Sequence, residues 1–217
     1  MIIAIDGPAG SGKSTIAKLI AEDLGLVYLD TGAMYRLVTL KALNDGILGD
    51  LEEIKKMLDN LNIDIKENGF YLDNVDVSDE IRKPIVSENV SDIAAIREVR
   101  EKMVDLQRKF SESKNVILDG RDIGTVVFPN ANVKIFLVAD AKERANRRYK
   151  ELVKKGENIK IEEIYENILK RDEIDSTRKE SPLKKAEDAI EVDTTSKDIE
   201  EVKNEILNIC SNSSMSV

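Results

Sequence analysis

Residues 2–14 read Ile-Ile-Ala-Ile-Asp-Gly-Pro-Ala-Gly-Ser-Gly-Lys-Ser, and this stretch decides the fold. Its first four residues form an apolar run that predicts a buried strand. A glycine-rich segment follows, and then an amphipathic stretch that predicts a helix from Lys13 to Leu24. A strand, a glycine-rich loop and a helix in direct succession are typical of an anion-binding turn, because backbone N–H groups and the positive end of the helix point at one place.

The loop matches the pattern G-x-x-x-x-G-K-[ST], the phosphate-binding loop of proteins that bind nucleoside triphosphates. We expect Lys13 to reach the β- and γ-phosphates and the Ser14 hydroxyl to bind Mg²⁺. A glycine-rich turn that matches by chance is the alternative, and the strand before the loop and the helix after it argue against that. The predicted ATP-binding residues are Gly7, Pro8, Ala9, Gly10, Ser11, Gly12, Lys13, Ser14 and Thr15.

Short apolar runs and longer amphipathic stretches alternate along the chain, which is the pattern of βαβ units and a parallel sheet. We therefore expect an α/β fold. The predicted strands are 2–5, 27–29, 116–118, 133–137 and 189–192. The predicted helices are 13–24, 33–43, 52–61, about 86–110, 142–154, 161–175 and 199–209.

Residues 63–84 differ from the flanking chain, because alternating apolar and polar residues surround Asn68 and Gly69. Asn-Gly tolerates positive φ and closes hairpins, so we predict a small β insertion here. The expected organisation is a core domain of residues 1–62 and 85–209, the insertion 63–84, and a flexible tail 210–217 with Cys210 in or near it.

The composition excludes several kinds of catalytic centre. Among 217 residues there are no histidines and one cysteine, so neither a Ser-His-Asp centre nor a zinc site of imidazoles and thiolates can form. The net charge of −9 opposes binding to nucleic acid, which rewards a basic surface. No apolar run approaches the roughly 20 residues of a membrane helix. We expect a cytoplasmic protein with neither nucleic acid nor membrane as a partner, in which any anionic ligand meets a local cluster of positive charge.

Two charged segments begin where predicted strands end, Asp30-Thr-Gly-Ala-Met-Tyr-Arg36 and Asp119-Gly-Arg-Asp-Ile-Gly-Thr125. Open α/β sheets place their ligand crevice at the carboxyl ends of the strands, which makes both segments candidates for a site. A third segment, 171–178, ends a predicted helix. The helix before it carries Arg144, Arg147 and Arg148, for which a solvated face with i,i+4 ion pairs is the alternative.

The phosphate-binding loop, DTGAMYR, LDGRDIGTVVFP and RDEIDSTR follow one another in an order that resembles the bacterial cytidylate (CMP) kinases, over essentially residues 1–209. The resemblance implies a P-loop nucleoside monophosphate kinase fold. Such a fold has a five-stranded parallel sheet flanked by helices, a small β insertion in the nucleotide-acceptor part, and a helical lid, here about residues 144–160. The implied reaction transfers the γ-phosphoryl group of ATP, bound with Mg²⁺, to CMP or dCMP, and we expect a monomer.

The resemblance also implies roles for single residues. Lys13, Arg121, Arg144, Arg147 and Arg148 would be catalytic, and Asp119 would hold Mg²⁺ through water. Thr31, Arg36, Arg121 and Arg178 would bind the phosphate of CMP, Arg171 and Asp175 its ribose, and Ser91, Arg100 and Asp122 its base. Cytosine offers an N4–H donor to a carboxylate and two acceptors to an arginine, so this set suits its edge.

Each role has a plainer alternative. Arg36 and Arg121 could pair with Asp30 and Asp119 as structural bridges, and Asp119 could cap a strand end. Ser91 could cap a helix, and Arg100 could be an ordinary surface charge. The whole chain could instead be a P-loop kinase of another nucleotide or small metabolite, or an ATP-dependent regulatory protein. It lacks the N-K-x-D motif with which GTPases read guanine.

The spacing of two candidate base-reading residues makes a geometric demand. Ser91 and Arg100 are nine residues apart, which on one straight helix places them on opposite faces. If both contact cytosine, the helix predicted over 86–110 must break near residues 94–97, or it must begin after Ser91.

Overall fold

The computed structural model describes residues 1–66 and 69–214. Asn68, half of the predicted hairpin turn, therefore lies outside the described residues. The strands are β1 (Ile2–Asp6), β2 (Val27–Asp30), β3 (Ile63–Lys66), β4 (Gly69–Leu72), β5 (Val75–Asp76), β6 (Val116–Gly120), β7 (Val133–Val138) and β8 (Ile190–Asp193). The helices are α1 (Lys13–Leu24), α2 (Thr31–Asn44), α3 (Leu51–Asp59), α4 (Pro84–Ala94), α5 (Arg97–Ser111), α6 (Ala141–Lys154), α7 (Ile161–Thr177) and α8 (Ile199–Ser214).

The chain forms two compact units. The first consists of Met1–Asp30 and the chain from Ser111 onward, and the second is Thr31–Phe110. The predicted β insertion 63–84 lies within the second unit, where β4, a short 3₁₀ helix at Glu80–Arg82 and α4 all pack against α2. Ala33, Leu37, Leu72, Ile81 and Val86 belong to one buried cluster, so the small antiparallel sheet β3-β4-β5 shares its core with these helices.

The first unit is built on a five-stranded parallel sheet in the order β2-β6-β1-β7-β8, which confirms the predicted sheet. The strand β1 lies in the middle, paired with β6 on one side and β7 on the other. Its interior residues are fully buried, as expected for a strand covered on both faces. The strands β1 and β6 run further than predicted, to Asp6 and Gly120, which are paired with each other.

The predicted helix over 86–110 is two helices. The first, α4, ends at Ala94, and the second, α5, begins at Arg97. The break lies where the spacing of Ser91 and Arg100 demanded it, and both side chains are 3% exposed. The condition set for a shared role of these two residues is therefore met.

The C-terminal region is more ordered than predicted. The last helix, α8, continues to Ser214, so residues 210–214 are helical, while 215–217 lie outside the described residues. Cys210 is 3% exposed and packs in the first unit's core with Val202 and Ile206. Burial raises the pKa of its thiol. The polar composition of the last residues predicted a flexible tail, although α8 carries an apolar face that extends to Cys210.

Substitution of Ile81 tests the core of the second unit. Ile81→Ala removes a fully buried side chain, and we expect it to lower the free energy of unfolding by about 2–5 kcal/mol. Ile85→Ala is the matched control, because that side chain is 50% exposed and its loss should cost less than about 1 kcal/mol. Urea unfolding followed by far-UV circular dichroism measures both. Equal losses for the two variants would contradict this account of the core.

Candidate active site

The phosphate-binding loop turns between β1 and α1 on three glycines with positive φ. These are Gly7 (φ 152), Gly10 (φ 77) and Gly12 (φ 95). A Cβ atom on Gly7 would lie 2.1 Å from the carbonyl oxygen of Leu137 on β7, so the loop backbone packs directly on the neighbouring strand. Glycine is therefore required at this position for space as well as for conformation.

Lys13, the first residue of α1, is buried beneath the loop with 5% of its surface exposed. Its Nζ donates to the carbonyl oxygen of Pro8 at 2.6 Å and lies 3.3 Å from Ser11 Oγ. Burial lowers the pKa of Lys13, and the positive charge of Arg121 lowers it further. Two cations of the predicted site thus lie close enough to repel each other, which is the arrangement that a polyanion stabilises.

Asp119 on β6 accepts hydrogen bonds from two side chains, one on α1 and one on β2. Ser14 Oγ donates to Oδ2 at 2.8 Å, and the Tyr28 hydroxyl donates to Oδ1 at 2.7 Å. Burial raises the pKa of Asp119, as does the negative charge of Asp30. The alternative that Asp119 pairs with Arg121 finds no support in these contacts. Tyr28 was not among the predicted site residues, and the only local indication of its role is that it alternates with buried Leu29 on β2.

Arg121 belongs to an ion-pair cluster centred on Asp175. Its Nε donates to Asp175 Oδ2 at 2.9 Å, and Arg178 Nη1 lies 3.8 Å from Oδ1. Burial acts to raise the pKa of Asp175, but the charges of Arg121, Arg171 and Arg178 outweigh it and hold that pKa below its usual value. Four predicted acceptor-site residues, from β6 and the end of α7, thus come together although up to 57 positions separate them in sequence.

A single turn of π-helix over Ile123–Val127 follows Arg121 and Asp122. The carboxylate of Asp6, at the end of β1, accepts from the backbone N–H groups of Ile123 at 2.8 Å and Gly124 at 2.7 Å. Burial raises the pKa of Asp6 to about 7, against the effect of these two hydrogen bonds. The sequence predicted neither the turn of π-helix nor the hydrogen bonds of Asp6 to it, because no local sequence pattern relates residues that are more than a hundred positions apart.

The arginines of α6 are engaged by protein acceptors. Arg144 is 5% exposed; its guanidinium donates to the carbonyl oxygen of Ala9 at 3.0 Å and to both carboxylate oxygens of Asp172. Arg147 donates to Thr194 Oγ1 and to the Thr194 carbonyl oxygen. Arg144 therefore ties the phosphate-binding loop to α6 and α7, and is no solvated charge. Arg147 and Arg148 also pair with Glu143 and Glu151 on the same helix, as the plainer alternative has it.

In the second unit, Thr31 begins α2 and is 2% exposed, and Arg36 lies one turn later. The guanidinium of Arg100 lies 5.1 Å from the centroid of the Tyr35 ring, and its Nη1 donates to the carbonyl oxygen of Ala94 at 3.0 Å. Arg100 is thus a buried cation and no ordinary surface charge. Ser91 lies near the end of α4, so it is no N-cap.

Among residues 1–66 and 69–214 there is no cluster of three or more carboxylate or cysteine side chains placed to hold a metal ion. Ser14 and Asp119 nevertheless supply adjacent oxygen donors, the ligand type that Mg²⁺ prefers beside a nucleotide's own phosphates. The donor chemistry therefore fits an ion that arrives with its nucleotide. In the described part of the chain, no helix has the length and hydropathy needed to cross a bilayer.

A sequence model of one family matches nearly the whole chain. That family is cytidylate kinase, and the match covers residues 3–212. The chain belongs to the cytidylate kinase family.

Two relatives of the family illustrate the similarity. A cytidylate kinase of Fusobacterium nucleatum is 60% identical over 205 residues, which cover 94% of each chain. One from Clostridioides difficile is 55% identical over 208 residues, covering 95% of this chain and 96% of the relative. These identities extend across both compact units, and they confirm the expected family and the expected kinase class.

The fold itself recurs in more distant structures. An uncharacterized protein from Eubacterium ventriosum superposes with a TM-score of 0.53 at 15% identity, over 98% of both chains. A gluconokinase from Sinorhizobium meliloti gives a TM-score of 0.50 at 14% identity, over 95% of this chain and 89% of the other. At such identities the likeness concerns the fold alone.

Substitution of Gly7 tests the close packing of the loop. In Gly7→Ala the new methyl group would collide with the Leu137 carbonyl oxygen, so we expect ATP binding to weaken at least ~10-fold. Gly46→Ala is the control, because Gly46 also has a positive φ (68) but no atom within 4 Å of its Cβ position. That variant should lose only about 1–2 kcal/mol of stability and bind ATP normally. Calorimetric titration with ATP measures the difference, and normal binding by Gly7→Ala would contradict the packing account.

The Asp175 cluster predicts a pH dependence of stability. A carboxyl group whose pKa is depressed by folding contributes stability above its unfolded pKa of about 3.9, and loses that contribution as the pH falls through its folded value. Asp175→Asn removes the charge from between the arginines, so we expect a loss of about 3–5 kcal/mol at pH 7. The difference in free energy of unfolding between Asp175→Asn and the unsubstituted protein should become smaller below about pH 4. Urea unfolding at several pH values measures it, and a difference independent of pH would be the contrary result.

Proposed function

We propose that this protein transfers the γ-phosphoryl group of ATP to CMP or dCMP, giving ADP and CDP or dCDP. The observation that carries the proposal is the pairing of Arg121 and Arg178 with Asp175, in the same compact unit as the phosphate-binding loop. A protein that only binds ATP needs one phosphate site. The positive charges of Arg121, Arg171 and Arg178 all act on Asp175, so this cluster would supply the cations for a second phosphate.

The chemistry requires no general base. An oxygen of the acceptor phosphate, largely ionised at neutral pH, would attack the γ-phosphorus of ATP, and the leaving group is ADP. The protein's task is to align two polyanions and to neutralise their charge, for which Lys13 and the forked guanidinium of Arg121 are suited. The absence of histidine is consistent with this reaction.

Ser14 and Asp119 are the residues that would hold Mg²⁺, the serine hydroxyl directly and the carboxylate through water. When bound, the ion would neutralise charge on the β- and γ-phosphates. The Ser14–Asp119 hydrogen bond places both groups at the start of α1, and Tyr28 fixes the carboxylate from its other side. Asp119 is 4% exposed, so its own charge is poorly hydrated and favours a nearby cation.

The acceptor roles proposed for the first unit agree with its contacts. Arg121 and Arg178 would bind the phosphate of CMP, and Arg171 and Asp175 its ribose. Asp175 already accepts from Arg121, but a carboxylate has about four lone-pair sites and can also accept from ribose hydroxyls. Asp122 would accept from N4 of cytosine. The roles of Thr31, Arg36, Ser91 and Arg100 rest on the resemblance to the family and on the burial of Ser91 and Arg100.

The lid proposed for residues 144–160 comprises most of α6, a turn at Gly156 and the approach to α7. Ala145, Leu152, Ile164 and Ile168 pack the two helices together. Arg144 and Arg147 would hold this element to the phosphate-binding loop and to Thr194. A monomer acting in the cytoplasm completes the proposal.

A panel of acceptors tests the function. Coupled ADP release should be fast with CMP and dCMP and at least ~100-fold slower, as kcat/KM, with UMP, AMP or GMP. Lys13→Ala should lower kcat by about 10²–10³-fold while CMP binding persists. Lys18→Ala, an exposed lysine on the same helix, is the matched control and should be as active as the unsubstituted protein. Preference for another acceptor would replace CMP kinase by another P-loop kinase, and ADP release unaffected by any acceptor would favour a regulatory ATP-binding protein.

A further inference from the structure

Asp6 is a buried carboxylate with an unusual pair of partners. It is the last residue of the central strand β1, immediately before the phosphate-binding loop, and it is 5% exposed. Its two oxygens accept from two successive backbone N–H groups, Oδ1 from Ile123 and Oδ2 from Gly124. Burying a carboxylate is costly unless its hydrogen bonds are made, so these two contacts constrain both partners.

The two donors open the π-turn of Ile123–Val127. This turn is closed by i→i−5 hydrogen bonds, from Val127 N to the carbonyl oxygen of Asp122 at 3.1 Å and from Phe128 N to that of Ile123 at 2.7 Å. The first N–H groups of any helical turn have no acceptor within the turn. Asp6 supplies that acceptor from a different strand, 117 positions earlier in the sequence.

Gly124 allows Asp6 to come this close. A Cβ atom at position 124 would lie 3.2 Å from Cδ of Lys134 and 3.4 Å from Oδ2 of Asp6. The stem of Lys134 therefore closes the opposite side of the turn, while its Nζ donates to both carboxylate oxygens of Asp188. The backbone at Gly124 lies between a carboxylate and an aliphatic stem, and a methyl group there would require one of these neighbours to move by a few tenths of an ångström.

Arg121 and Asp122 directly precede this turn, between β6 and Ile123. The backbone of β6 fixes one end of the dipeptide through the pairing of Gly120 with Asp6, and the carboxylate of Asp6 fixes the other end. The same residue thus holds both ends of the segment that carries the phosphate-binding arginine and the base-reading carboxylate. Arg121 reaches Asp175 from this segment.

We propose that Asp6 is a positioning residue for the acceptor: its paired hydrogen bonds to Ile123 and Gly124 set the orientation of Arg121 and Asp122 toward CMP. This inference rests on the proposed function. Only a group with two acceptor atoms satisfies both N–H donors. An amide in the same place would accept from one and present its own N–H₂ to the other.

The test is Asp6→Asn, with KM measured separately for CMP and ATP and with kcat/KM compared between CMP and UMP. We expect KM for CMP to rise about 5- to 50-fold and KM for ATP to change less than ~3-fold, because one buried N–H donor of the acceptor segment loses its partner. The CMP-over-UMP ratio should fall, since Asp122 is displaced. If Asp6 had a purely structural role, its substitution would not raise KM for CMP more than KM for ATP, and it would not change the CMP-over-UMP ratio.

Two further variants keep the outcome decisive. Gly124→Ala leaves Asp6 in place but crowds the same contact, and it should raise KM for CMP and lower the CMP-over-UMP ratio in the same direction. If Asp6→Asn does not fold, as judged by far-UV circular dichroism, Gly124→Ala decides the question. Asp188→Asn is the control, because it removes an exposed carboxylate from the far end of Lys134, and it should leave KM for CMP within ~2-fold.

Coupling to Asp122 gives an independent readout. If Asp6 acts through Asp122, Asp6→Asn should reduce the CMP-over-UMP ratio much less in an Asp122→Asn background than in the unsubstituted enzyme. Additive effects on that ratio, an equal rise in both KM values, or unchanged KM for CMP in both Asp6→Asn and Gly124→Ala would each overturn the proposal. Failure of the proposed function is distinguishable, because it would be seen in the unsubstituted protein as absence of CMP phosphorylation.

Discussion

The structure depends on one central strand that is hydrogen bonded on both sides. Because β1 lies between β6 and β7, the chain leaving it at Asp6 is surrounded by the ends of its neighbours. Gly7 packs on the carbonyl oxygen of Leu137 from β7, and Asp6 pairs with Gly120 of β6. The phosphate-binding loop and the segment that begins with Arg121 therefore leave neighbouring strands at the same end of the sheet, and their relative placement follows from strand register.

Charge is organised locally in this acidic chain. The net charge is −9, yet Lys13, Arg121, Arg144 and Arg178 are gathered near the carboxyl ends of the strands of the first unit. Carboxylates accompany them: the partly exposed Asp172 pairs with Arg144, and the buried Asp175 pairs with Arg121 and Arg178. These pairs hold guanidinium groups in defined directions, and a bidentate fork is useful for phosphate only when its direction is fixed.

The arginines of α6 show how one residue type serves different purposes. Arg144 and Arg147 donate hydrogen bonds to Ala9, Asp172 and Thr194. These bonds connect α6 with the phosphate-binding loop, α7 and the loop after β8. Thr194 Oγ1 lies 3.2 Å from the carbonyl oxygen of Ser11, which brings that last loop against the first one. A helix rich in charges is in this case a structural connector of the nucleotide site, and its charge pattern alone could not distinguish the two roles.

The sequence by itself determined the elements whose causes are local. Apolar runs predicted all five parallel strands and the glycine pattern predicted the phosphate-binding loop, whereas the single helix predicted over 86–110 is two helices, α4 and α5. Only the tertiary structure decided the boundary of the second unit, the partners of Arg144 and Asp119, and the contact of Asp6 with Gly124. The Ser14–Asp119 and Asp6–Gly124 contacts join residues more than a hundred positions apart through the order of the strands, and no periodicity within a window of ten or twenty residues carries that information.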